Sequence, residues 1–257
     1  MHNDCLKAIQ WFTENNMKAN ADKFQLMFLS RNIDVSDCII RVGDIDIKAS
    51  DSINILGIDL DKDLKFQIQV DEICSQSGKQ INALKRIRQY LDKGCRRTVY
   101  NSYINSNFNF CSLVWMFTNK CNIDKLEKTD KRALRFVTGA NHLSYDEICK
   151  KEKIINISRK CVKAAAILLY KIKKDMAPKY VTEMFTPYES NYDMRDANKF
   201  VLPQFNTVRY GKNSFKYYGA KLWNNIPLAI KNSSSLNTFK SAISNWLLTC
   251  DDEKISL

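Results

Sequence analysis

The chain is 257 residues long and 45% hydrophobic, with 40 basic and 28 acidic side chains and a formal net charge of +12. This is enough for a substantial core in one large domain or in two or three small ones. No run of about 18 apolar residues occurs, so no transmembrane helix is expected; Met1-His-Asn-Asp-Cys5 lacks the basic-then-apolar pattern of a secretory signal, and the cysteines are scattered without a CxxC pair. The thiols are therefore expected to be reduced, in the cytoplasm or nucleus, and to act as small apolar residues.

The charge is unevenly placed. Residues 1–63 hold eleven acidic and seven basic side chains, so they are net acidic while the remainder is strongly basic. Between Asp196 and Asp251 no acidic residue occurs, whereas Lys199, Arg209, Lys212, Lys216, Lys221, Lys231 and Lys240 all do. A one-sided excess of this kind suits a polyanionic partner, nucleic acid above all. A solvated surface that keeps the protein dispersed is the simpler alternative.

Asp4 can cap a first helix whose Cys5, Leu6, Ile9 and Phe12 recur at helical spacing, ending at Asn15-Asn16. After a polar turn, Phe24–Leu29 has the density of a buried strand. Cys38–Val42 and Ile45–Ile47 flank Gly43-Asp44, a pair suited to a tight hairpin. Ile53–Asp61 reads as one further strand with Gly57 in its middle, where a bulge or the close approach of another backbone or ligand is expected. These elements predict an α+β unit over 1–63 with an open sheet edge.

From Leu64 the pattern becomes helical. One amphipathic helix runs to about Leu91, with Lys85, Arg86 and Arg88 on or near its outer face, and Asp92-Lys-Gly94 breaks it. A second runs from Cys95 to about Ser106. It carries Arg96 and Arg97 in its first turn, where cations oppose the helix dipole and a surface role is suggested. Asn105–Trp115 is aromatic and reads as core. A helix over Ile123–Val137 turns Leu126, Ala133, Leu134 and Val137 inward and Lys125, Lys128, Lys131, Arg132 and Arg135 outward, with Gly139 as its cap. Shorter and longer helices come next at Asp146–Lys151 and Ser158–Lys174. Pro178–Tyr210 is irregular, and helices return at Ser214–Trp223 and Leu236–Leu248. The expected regions are 1–63, 64–185 and 186–257.

No motif amounts to a self-sufficient active site. Asp59-x-Asp61-x-Asp63 lacks the glycine and glutamate of a calcium loop, whose positions hold Leu64 and Val70. Asp46-Ile-Lys48 matches part of a nuclease metal site but fits a structural hairpin better. Asp251-Asp252 ends a helix, where a two-metal pair needs a tight hairpin, and reads as a solvated tail. His2 and His142 form no nucleophile–base set, and His142 with Cys149 is too sparse for zinc.

Three stretches carry a family resemblance. Asn16–Phe28, with Asn20 and Lys23, resembles the N-x-x-K segment near the end of the palm in reverse transcriptases of non-LTR (LINE-type) retrotransposons, with Phe24 where many relatives have threonine. Ile55-Leu-Gly57-Ile-Asp-Leu-Asp61, with Leu64-Lys-Phe66, resembles their primer-grip hairpin. Arg209–Phe215, Gly219–Pro227 and Phe239-Lys240 look like the post-thumb region of jockey-like elements. Trp115 and Lys131–Arg135 are similar to the thumb and connector. In that family the catalytic Phe/Tyr-x-Asp-Asp hairpin lies upstream of N-x-x-K, so the resemblance implies that its metal-binding aspartates, fingers and endonuclease are absent from this chain.

The resemblance therefore implies a palm remnant followed by a mainly α-helical thumb-like and post-thumb region. Such a chain has no polymerase activity of its own, although the complete parent enzyme would require magnesium. The implied partner is RNA or an RNA–DNA template–primer duplex, bound without sequence preference. Lys23, Gly57, Lys85, Arg86, Arg88, Arg96, Arg97, Lys131, Arg132 and Arg135 are the candidate contacts. The competing expectation is a protein-interaction module or structural relic with no nucleic-acid role.

Overall fold

The computed structural model describes residues 2–29, 38–42, 45–188 and 198–255, which divide into two packed units, 1–72 and 73–257. The division falls inside the long helix that begins at Gln67, and the architecture is α+β. No described helix is long and apolar enough to cross a membrane, and all nine cysteines are free.

In the first unit, helix α1 (His2–Glu14) ends where expected, with Asn16 at φ 55°. The Asn20 side chain accepts from the Asp22 backbone N–H and so shapes the turn that ends at Lys23. The expected strand over Phe24–Leu29 does not form. Only Leu26 pairs with another segment, at Ala49, and Leu29 is exposed. Instead the Gln25 side-chain amide accepts from the Asn54 N–H (2.7 Å) and donates to its carbonyl (3.0 Å), in place of a neighbouring strand's peptide group. Strands β1 (Ile39–Val42) and β2 (Ile45–Lys48) pair antiparallel as expected, with Arg41 opposite Asp46; the Gly43-Asp44 turn lies outside the described residues.

The single strand expected over Ile53–Asp61 is instead a hairpin of β3 (Ser52–Ile55) and β4 (Ile58–Asp61). Leu56 and Gly57 form its turn at φ 51° and 82°, the left-handed pair that a type I′ connection demands. Gly57 is thus a turn residue and not a mid-strand bulge. The Asn54 side chain braces the turn, accepting from the Gly57 N–H and donating to Asp59. Asp61 organises the next five residues: its carboxylate accepts the backbone N–H groups of Asp63, Lys65 and Phe66. This holds Leu64 and Phe66 at positive φ and leads into helix α2 (Gln67–Ile87).

The second unit starts within α2, which ends four residues earlier than expected in a short 3-10 turn. Asp92 then caps helix α3 (Lys93–Val99), and its carboxyl is held below the usual range by the Cys95 backbone N–H. A π-turn over Tyr100–Ile104 and helix α4 (Asn105–Asn109) continue the run, followed by the short α5 (Ser112–Trp115). Helix α6 (Lys120–Thr138) ends at Gly139 with φ 73°, as its sequence indicates. Next come α7 (Tyr145–Glu152), opened by a Ser144/Glu147 capping box, and α8 (Ile157–Lys173), capped by Asn156. Helices α9 (Lys179–Thr182), α10 (Phe215–Asn225), α11 (Leu228–Lys231) and α12 (Leu236–Thr249) complete the unit.

Helix α8 is central, packing against α4, α5, α6, α10 and α12. Its Tyr170 stacks on Phe239 of α12 at 4.3 Å, and Trp223 of α10 stacks behind at 6.4 Å. Gly219 lets α10 approach Phe185, whose ring would stand 2.9 Å from a Cβ there. Trp223 donates to the Asn198 carbonyl, and the Asn224 side chain pairs with both the N–H and the carbonyl of Phe200. These residues of the post-thumb-like motif therefore have core roles. Residues 73–257, which span two of the expected regions, pack as one unit.

A polar cluster lies inside this core. Asp130, fully buried on the inward face of α6, accepts from Tyr100 (2.7 Å), Tyr145 (2.7 Å) and the Lys160 ammonium (3.2 Å), and Lys160 also donates to Tyr100. Burial, then the Asp130 charge, pushes both phenols well above their ordinary range, so they remain donors. A buried ion pair costs most when only one member is removed.

Leu56→Asn replaces a 92%-exposed residue at a left-handed position with one that tolerates it. It should stabilise the β3–β4 hairpin by about 1 kcal/mol, read as slower amide exchange over 52–61. Asp130→Ala should cost about 3–5 kcal/mol in urea unfolding, and the double change Asp130→Leu with Lys160→Met should recover most of it.

Candidate nucleic-acid interface

Helix C-termini leave backbone carbonyls without partners, and the dipole makes that end attractive to cations. In the second unit three such ends are met by arginines from other elements. Arg88, just past α2, donates through Nε to the Phe136 carbonyl in the last turn of α6 (3.1 Å). Arg96 of α3 reaches the same oxygen at 3.5 Å. Arg97 donates to the Glu152 carbonyl at the end of α7 (3.2 Å), while Lys93 pairs with the Glu152 carboxylate (2.8 Å). Arg159, which the sequence does not single out, donates to the carbonyls of Leu247 and Cys250 at the end of α12 and to Asp252 (2.7 Å).

The ten expected contact residues divide accordingly. Lys23 and Gly57 belong to the first unit: Lys23 ends an exposed turn, and Gly57 sits at the hairpin tip. The other eight belong to the second unit. Lys85 and Arg86 are exposed on the last turn of α2, as is Arg132 on α6. Lys131 is half-buried, and Arg135 is half-buried with its Nε buried and unpartnered. Arg88, Arg96 and Arg97 are not freely outward-facing as expected, because their guanidiniums close other helices. For Arg96 and Arg97 the expected opposition to the dipole also falls away. Asp92 caps a helix that starts at Lys93, two residues earlier than expected, so both arginines stand at or beyond the end of its first turn instead of opening it.

By meeting at Phe136, Arg88 and Arg96 draw the end of α2, the start of α3 and the end of α6 to one place. Arg88 uses Nε there, and a guanidinium carries five donors, so it can bind a second acceptor. Beside it in the chain, Tyr90 is 78% exposed. Tyr90 is not among the residues expected from sequence, although an aromatic between arginines and lysines is the pattern of base stacking against a charged strand.

The acidic motifs are occupied locally. Asp61 serves three backbone N–H groups, Asp59 accepts from Asn54, and Asp63 pairs with Lys65. Asp252 meets Arg159 and Asp251 meets Lys254, and both carboxylates remain exposed, as the expected solvated tail requires. Among the described residues no group of three or more His, Cys, Asp or Glu is placed to hold a metal ion. No protein family, curated protein or solved structure matches the chain.

Arg97→Ala and Arg159→Ala should each lower stability by about 1–3 kcal/mol, the cost of losing charged hydrogen bonds to part-buried carbonyls. Lys85→Ala, Arg86→Ala and Arg132→Ala should stay within about 0.5 kcal/mol. Urea unfolding of the five variants checks the division.

Proposed function

We propose that the chain binds RNA or an RNA–DNA template–primer duplex without sequence preference, through phosphate contacts from the basic cluster of the second unit. The observation that carries this reading is the meeting of Arg88 and Arg96 at Phe136, which brings cations from two helical segments to the end of a third. Exposed Lys85, Arg86 and Arg132 add positive charge at the surface. The three motif resemblances support assigning the chain to the C-terminal part of a non-LTR retrotransposon reverse transcriptase, with Lys23 and Gly57 as the remnant of its primer grip. On that reading it does not extend a primer alone.

Filter binding to an RNA–DNA hybrid should give an affinity that falls linearly in log–log form with salt. Triple substitution of Lys85, Arg86 and Arg132 by alanine should flatten that slope by about three. An affinity insensitive to salt would overturn the binding assignment. Primer extension with magnesium should give no product, and a clear product would overturn the fragment assignment.

A second reading, a protein-binding module, draws on the first unit. Trp11, Leu29, Ile39 and Leu56 are all exposed there, apolar side chains that a partner would cover. A stable, salt-insensitive complex that is lost on Trp11→Ser and Leu56→Ser would favour it.

A further inference from the structure

Asparagine is a poor helix former because its amide competes for nearby backbone groups. Yet Asn101, Asn105 and Asn109 recur at every fourth position along the helical run that crosses the π-turn. All three line a cavity of about 400 Å³, whose other walls come from Ser112 of α5, α8, α12 and the 153–155 connection. That volume lies within the range of small-molecule sites, and π-turns recur at functional positions.

The remaining lining is cationic. Lys153, Lys160 and Lys163 contribute to it and no carboxylate does. Lys160 is matched by Asp130 behind the wall, which leaves Lys153 and Lys163 without an acidic neighbour in the lining. Burial, then the cation of Lys240, lowers the pKa of Lys163 from its ordinary value, an environment that a bound anion would relieve.

We propose that this cavity binds a small phosphomonoester whose body carries hydroxyl or amino donors, as in a nucleoside monophosphate or a sugar phosphate. Lys153 and Lys163 take the phosphate, for which lysine is a suitable point-charge partner. The asparagine amides, which both donate and accept, take the body. None of these residues belongs to the proposed nucleic-acid interface, so either assignment can fail without the other.

The test is titration calorimetry of the full chain with adenosine monophosphate, glucose 6-phosphate and inorganic phosphate. Saturable binding of at least one organic phosphate is expected, with inorganic phosphate weaker, and the preferred compound separates nucleotide from sugar. Lys163→Gln should weaken binding about tenfold, as for one charged hydrogen bond, and Lys163→Glu should weaken it further. Circular dichroism should show both variants folded. Absence of saturable binding for all three probes would overturn the proposal, as would unchanged affinity in either folded variant. Inorganic phosphate binding as tightly as both organic compounds would also overturn it, because the amides would then contribute nothing.

Discussion

The second unit depends on how its helix ends are closed. The last-turn carbonyls of each helix need donors that the helix itself cannot supply, from water or from another side chain. Here α6, α7 and α12 are closed by guanidiniums from elsewhere: Arg88 and Arg96, Arg97, and Arg159. These contacts fix which helix ends lie together, so they set the packing as well as satisfying polar groups. They also divide the basic excess. Part of the positive charge holds the fold, and only the part left exposed is available to a polyanion.

The Asp130 cluster adds specificity of a different kind. Its members come from α6, α8, the π-turn and α7, and each hydrogen bond has a direction that apolar contact lacks. Register shifts of α6 against α8 that a purely apolar seam would tolerate are thereby penalised. The aromatic stack of Tyr170, Phe239 and Trp223 supplies buried area on another face of α8.

Much of this is legible in the sequence wherever the signal is local. Apolar stripes and caps locate α6, α8, α10 and α12 to within a few residues, and Gly139 marks the C-terminus of α6. The β3–β4 hairpin is also legible, through a signal that the expectation of one strand overlooks. Ile53 and Ile55 fall on odd positions, whereas Ile58 and Leu60 fall on even ones. One continuous strand cannot change parity, but a two-residue turn does. Leu-Gly hides that turn because its first residue is not the asparagine or aspartate usual there. Asp130 also leaves a trace, as a carboxylate four residues from Leu126 and from Leu134 on the apolar stripe of α6. The roles of Arg88, Arg96 and Arg97 leave none: their acceptors lie 40 to 55 residues away in sequence. Local pattern says only that such a side chain is near the surface.

The pairing of Asn224 with Phe200 shows why that position needs an amide. One side-chain group replaces a strand partner by accepting at its oxygen and donating at its nitrogen. A carboxylate of the same shape has no donor, so it would set a negative charge against the Phe200 carbonyl while still accepting from its N–H.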